Sequence, residues 1–167
     1  KAADIGLLGL GFDENYGGIA GTDAFHVLLS SIELAKTGSG GLCASLLSHS
    51  IGAPPINHFA SAEIKEAVLT KILSGEKISA LAITELTGGS DVAALQTKAV
   101  RDGDGYIVTG ERTFITSGIR ADYYTVAVRT DPEAKGPNGI SMLLIDAHSA
   151  GITKSKLDKM GWWASDT

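Results

Sequence analysis

The feature that most constrains this chain is a change of hydrophobic period near Lys77. Before it, apolar residues recur three and four apart. After it, they come in short runs separated by glycine-bearing turns. A helix repeats a face every 3.6 residues and a strand every two, so a chain that switches period folds as two differently built parts. The expected class is α+β. A partial helical amino-terminal domain over residues 1–76 is followed by a small antiparallel β-barrel or sandwich domain over residues 77–167.

In the first part, Thr22 or Asp23 is placed to cap a helix whose apolar stripe is Phe25, Leu28, Leu29, Ile32 and Ala35, with Gly38 at its end. A second helix is expected from Gly41 to Ile51, interrupted by Gly52 and by Pro54-Pro55. Ser61 caps a third, with Ile64, Ala67, Val68 and Ile72 on one face and Gly75 after it. In the second part, strands are expected at Ile78 to Thr84, Leu95 to Arg101, Tyr106 to Thr109, Tyr123 to Arg129, Ile140 to Ile145 and Gly151 to Leu157. Asp102-Gly103-Asp104-Gly105 between the second and third is a hairpin signal, because glycine accepts the positive φ such turns require.

Charge and cysteine usage exclude several classes. The net charge is -5, and no basic surface is offered to a nucleic acid. Cys43 is the one cysteine, so an internal disulfide and a CxxC metal site are excluded. His26, His49, His58 and His148 are scattered without a partner at metal spacing, and no metal ligand is assigned. No apolar run reaches the roughly 20 residues that cross a bilayer. The first residue is Lys1, in an apolar stretch that reads as a cut helix, so a removed targeting segment is compatible with the sequence.

Three segments carry possible chemistry. Ala82-Ile83-Thr84-Glu85-Leu86-Thr87-Gly88-Gly89-Ser90-Asp91 runs from a strand into a glycine-rich turn that offers backbone N–H groups and small hydroxyls to a phosphate or a flat ring edge. Taken alone, a tight turn closing a strand is the plainer reading. Thr113-Phe114-Ile115-Thr116-Ser117-Gly118 sets an aromatic and a hydroxyl two residues apart, on one face if the segment is a strand. An ordinary buried Phe is the plainer reading. Leu157 to Thr167 holds the tandem Trp162-Trp163, which suits a stacking platform or a packing surface, and Ser165-Asp166, usual in turns.

Taken in order, the three resemble the acyl-CoA dehydrogenase family. Its T-E-P-x-A-G-S-D-like loop, W/F-I-T-N/S-G-like strand and K-x-G-x-x-x-S-D-T-like stretch appear here as T-E-L-T-G-G-S-D, F-I-T-S-G and K-M-G-W-W-A-S-D-T. The opening G-L-L-G-L-G-F-D-E-N-Y-G-G is similar to the family's amino-terminal region. Leu86 and Gly88 depart from the usual proline and alanine, and neither departure removes a side chain that would bind flavin.

The resemblance implies an amino-terminal helical domain and a middle β domain, with the family's carboxy-terminal bundle lacking. It implies FAD as cofactor, with Ile83 and Thr84 at the pyrimidine side, Gly89 and Ser90 near the pyrophosphate, Phe114 against the isoalloxazine ring and Thr116 near N5. Leu81 and Ser90 would contact substrate, with Ala44, Leu47 and Ile51 as further channel wall. The implied reaction is α,β-dehydrogenation of an acyl-CoA thioester. A carboxylate removes the α-proton, the β-hydrogen leaves as hydride to flavin N5, and electrons pass to an electron-accepting flavoprotein. The family's base is a glutamate of the bundle, so no catalytic residue is assigned here and Glu85 is read as structural. The full-length protein is expected to be a homo-oligomer, in a bacterial cytoplasm or the mitochondrial matrix. An acyl-CoA oxidase or flavin monooxygenase of the same architecture, and a short non-catalytic binding module, are the alternatives that remain open.

Overall fold

The computed structural model describes residues 1–167. The last α-helix ends at Leu73 and the first strand begins at Ser79. The Asp23 carboxylate accepts the Phe25 and His26 N–H groups at 3.0 and 3.3 Å, which starts α1 (Ala24–Ala35). The expected stripe of α1 lies on the surface: Phe25 is 72% and Leu29 59% exposed. Its inner side faces α2 (Gly40–Leu46), across a cleft of about 330 Å³ lined by Leu34, Ala35, Cys43 and Leu47.

The expected second helix is broken earlier than its glycine and prolines require. It stops at Leu47, where φ is -107°, and resumes as α3 (His49–Gly52) and α4 (Pro54–Phe59), the latter with proline in its first turn. The third begins at Ser61, whose hydroxyl accepts the Ile64 N–H at 3.4 Å. α5 (Ala62–Ile64) passes through a π-helical segment, Lys65–Leu69, into α6 (Thr70–Leu73). That widened turn rotates the buried face. Ile64 and Ala67 are left exposed, while Leu69 and Leu73 join Val68 and Ile72 inside, packed on Ala53 and Ile56.

The strands are β1 (Ser79–Ala82), β2 (Lys98–Asp102), β3 (Gly105–Thr109), β4 (Tyr123–Arg129) and β5 (Ile140–Asp146). β4 is the centre. Its Tyr-Tyr-Thr-Val-Ala-Val-Arg run is buried from Tyr124 to Val128 without alternation, as a strand covered on both faces must be. One face meets the helical core, which reaches Tyr123 and Leu144; the other forms a cluster with Ala80, Ala82, Ala99, Ala121 and Ala147. Thr125 Oγ1 donates to Gly52 O at 2.6 Å and ties β4 to α3.

The α+β organisation matches the expectation, but the sheet is mixed and open. β5 pairs antiparallel with β4, and β1 pairs parallel with it, because the long excursion from β1 to β4 brings the chain back in the same direction. β2 and β3 form the expected hairpin, with Gly103 at φ 58°. β2 meets β4 at one position, Lys98 opposite Arg129. The expected strand at Gly151 to Leu157 is absent as a strand. Leu157 bonds the Thr167 carbonyl at 2.8 Å, so the chain folds back on its own last residues and joins no ladder.

Candidate functional site

β1 and β2 lie end to end along one edge of β4 and leave a gap. Pairing stops at Ala82 opposite Val126 and resumes at Lys98 opposite Arg129. The glycine-rich loop leaves the sheet through this gap. Within it the Ala127 carbonyl has no strand partner, and Arg112 Nη2 donates to it instead. Arg112 Nη1 donates to Ile83 O at 3.0 Å and to Glu85 Oε1. Glu85 in turn accepts the N–H groups of Gln96 and Thr97 at 2.6 and 2.7 Å. The two side chains are 11% and 6% exposed.

Burial works against the Glu85 carboxylate, but the bonds from Thr97 and Gln96 and the Arg112 guanidinium outweigh it and hold its pKa below the ordinary value. Burial likewise lowers that of Arg112, against the pull of Glu85. Both Glu85 oxygens are therefore engaged within the chain, by Arg112, Thr97 and Gln96. Its N–H and carbonyl also close on Gly88, at 3.0 and 3.1 Å.

The second segment lies directly beside the first. The Thr113 N–H donates to Thr84 O at 3.0 Å. The expected strand through Phe114 and Thr116 does not form, because Phe114 and Ser117 take left-handed φ values of 59° and 60°, which no ladder accommodates. Phe114 is turned outward and is 65% exposed, while Ser117 is fully buried. This bend is held by the third segment. Asp166 Oδ2 accepts the Ile119 and Arg120 N–H groups at 2.8 and 3.3 Å, its carbonyl accepts that of Ser117 at 2.9 Å, and Arg120 Nε pairs with Oδ1 at 2.7 Å. Trp162 sits against Gly40 and Gly41 of α2, where a Cβ on Gly41 would come within 2.8 Å of the Trp162 Cα.

Of the residues assigned from sequence, Ile83, Thr84 and Gly89 come together. A Cβ on Gly89 would stand 3.1 Å from Thr84 Cγ2, and hydrogen bonds from Arg112 and Thr113 bring Phe114's segment alongside. Gly89 and Ser90 are exposed, and neither their N–H groups nor the Ser90 hydroxyl donates to any group of the chain. Thr84 and Thr116 are half-buried with uncommitted hydroxyls. Leu81 is half-buried on β1, opposite Thr125 in register. Free donors beside an outward aromatic ring fit a ligand with anionic groups and a flat ring system, so the residues present fit a flavin nucleotide.

Sequence reasoning missed Arg112 and underrated Asp166. The signal for the first was Glu85 itself, since a carboxylate between apolar strand residues and a glycine turn demands a cation. No group of three or more His, Cys, Asp or Glu side chains converges to hold a metal ion. No helix is long and apolar enough to cross a membrane.

Residues 1–76 match the family described as acyl-CoA dehydrogenase, N-terminal domain, and residues 80–167 match acyl-CoA dehydrogenase, middle domain. The chain is 37% identical over its whole length to the probable acyl-CoA dehydrogenase YngJ of Bacillus subtilis, and spans 44% of that protein. A crystal structure of a probable acyl-CoA dehydrogenase from Mycobacterium abscessus superposes with a TM-score of 0.91 at 47% identity, over 99% of this chain and 44% of the other. The butyryl-CoA dehydrogenase structure from Megasphaera elsdenii superposes with a TM-score of 0.88 at 36% identity, over 98% and 44%. The chain thus spans less than half the length of the relatives it matches.

Proposed function

The chain belongs to the acyl-CoA dehydrogenase family, and from that premise we propose that the whole protein catalyses FAD-dependent α,β-dehydrogenation of an acyl-CoA thioester. The observation that carries this reading is the pairing of the Ile83–Thr84 and Thr113–Phe114 segments, with the free donors of Gly89 and Ser90 beside them. When bound, FAD supplies the hydride acceptor.

The residues of this chain bind and orient. Ile83 and Thr84 hold the pyrimidine side of the flavin. Gly89 and Ser90 offer N–H and hydroxyl groups to its pyrophosphate. Phe114 would lie against the ring system, and Thr116 would hydrogen-bond near N5 and so help position the atom that accepts hydride. Leu81 and Ser90 contact the substrate. Residues 1–76 form the helical part of the site and residues 77–167 its flavin- and acyl-CoA-binding part. The carboxylate that removes the α-proton is not assigned within residues 1–167, because Glu85 is held by Arg112. An electron-accepting flavoprotein takes the electrons, and the whole protein is a homo-oligomer of a bacterial cytoplasm or mitochondrial matrix.

Mass spectrometry of the CoA products tests the reaction. The whole protein, incubated with a series of saturated acyl-CoAs and an artificial electron acceptor, is expected to yield a product two hydrogens lighter. Recovery of every acyl-CoA unchanged would contradict the assignment.

A further inference from the structure

The gap between β1 and β2 raises a question of position. The loop that carries Gly89 and Ser90 is anchored by neither strand: β1 ends before it and β2 begins after it. Arg129 of β4 holds its returning limb by donating to Ala93 O at 2.7 Å and Leu95 O at 3.4 Å, and an ion pair closes its base. Glu85 draws the outgoing and returning limbs together by accepting the Gln96 and Thr97 N–H groups. Arg112 then fastens this base to the sheet through Ala127 O and to the preceding turn through Ile83 O. Two residues after Arg112 stands Phe114, in a left-handed conformation that persists only where its surroundings impose it. Arg112 therefore stands at the junction of the two segments, beside the direct bond from the Thr113 N–H to Thr84 O at 3.0 Å, and the proposed function places both segments against one flavin.

We propose that Glu85 and Arg112 are positioning residues that set the spacing between the Ile83–Thr84 and Phe114–Thr116 walls of the flavin site, and so control cofactor affinity. The inference rests on the flavin reading for its ligand, whereas the clamp itself is a property of the chain. Burial is what gives the pair this reach. A guanidinium in water moves freely among partners, but one held among Ile83 O, Ala127 O and a buried carboxylate has one arrangement. Arg112→Met keeps much of the aliphatic stem and removes every donor. Arg112→Lys keeps the charge, reaches Glu85 and retains one carbonyl. Glu85→Gln keeps an acceptor for one of the two N–H groups and leaves Arg112 without its counter-charge.

Two readouts test this in the whole protein. The first is FAD affinity of the flavin-free protein, by titration at a temperature where each variant is folded. The second is amide hydrogen exchange across residues 83–97 and 112–118, with Leu69–Leu73 as internal reference. Arg112→Met and Glu85→Gln are expected to bind FAD about tenfold more weakly or worse, as for loss of a hydrogen bond to a charged group. Exchange in both segments rises while the reference stays protected. Arg112→Lys is expected to recover affinity to within about threefold of the unaltered protein. Affinity unchanged in a folded Arg112→Met or Glu85→Gln protein would overturn the inference. Glu85→Gln carries the test if Arg112→Met does not fold. Failure of the unaltered protein to bind FAD would instead overturn the functional reading, and hydrogen exchange would still report whether the pair closes the loop.

Discussion

His49 is 7% exposed, its Nε2 lies 3.0 Å from the Leu8 carbonyl, and its ring packs against Phe12 at a centroid distance of 5.8 Å. Burial lowers its pKa below the ordinary 6.5, and the pull of the Leu8 carbonyl does not offset this. The folded state therefore resists protonation that the unfolded chain accepts. The sign follows. Below pH 6.5 the unfolded state binds more protons, so stability is fully present above that value and falls as pH drops toward the folded pKa. The steepest slope for one group is about 1.4 kcal/mol per pH unit. Moving from pH 7.0 to 5.5 thus removes at most about 1.3 kcal/mol through His49.

His49→Gln keeps a donor near the Nε2 position and does not titrate. Urea unfolding of the whole protein and of this variant at both pH values isolates the effect as a difference of differences. The carboxyl groups of Glu85 and Asp122 do not interfere. Their pKa values are lowered despite burial, by bonds from Thr97 and Gln96 and from Ile78 and Lys77 respectively, so their contribution is lost only in the acid range. Equal losses in the two proteins between pH 7.0 and 5.5 would refute the reasoning.

Three more perturbations follow from particular contacts. Phe114→Ala and Phe114→Gly both remove the proposed flavin-facing ring, but glycine accepts the φ of 59°, so the glycine protein is expected to be the more stable by about 1 kcal/mol in thermal or urea unfolding. Asp166→Ala strips the acceptor from the Ile119 and Arg120 N–H groups and leaves the Arg120 guanidinium without its carboxylate partner, bonded to Ser45. A loss of about 1–3 kcal/mol is expected, with faster amide exchange at residues 117–120. Gly41→Ala drives a methyl group into the Trp162 backbone, so Trp162 must move and tryptophan emission shift, at a cost of about 1–3 kcal/mol for overpacking.

Elements set by local signals were legible in the sequence. Asp23 capped α1 as expected, Asp102 to Gly105 turned the hairpin, and β4 and β5 fell close to their expected ranges. What depended on distant partners was not. The stripe of α1 is truly helical in period, but period does not say what covers a face, and here Phe25, Leu28, Leu29 and Ile32 stay exposed. The π-helical segment at Lys65–Leu69 exchanged Ile64 and Ala67 for Leu69 and Leu73 because the core of Ala53 and Ile56 lay on the other side. Gly151 to Leu157 had strand composition and no neighbouring ladder to join.

The candidate site divides the same way. The order of the three motifs exposed which segments belong together. Arg112 and Asp166 make their decisive bonds to residues tens of positions away, and neither pairing leaves a periodic trace. The left-handed turn at Phe114 converted an expected strand face into an outward ring, a change that a two-residue spacing does not encode.

The most direct test of the account is the anaerobic visible spectrum of the whole protein, recorded before and after addition of acyl-CoAs of increasing chain length. The account predicts a flavin band that bleaches with at least one acyl-CoA, because a hydride has passed from substrate to cofactor. A colourless protein that also refuses added FAD would contradict it, since Ile83, Thr84, Gly89, Ser90, Phe114 and Thr116 would then hold no flavin.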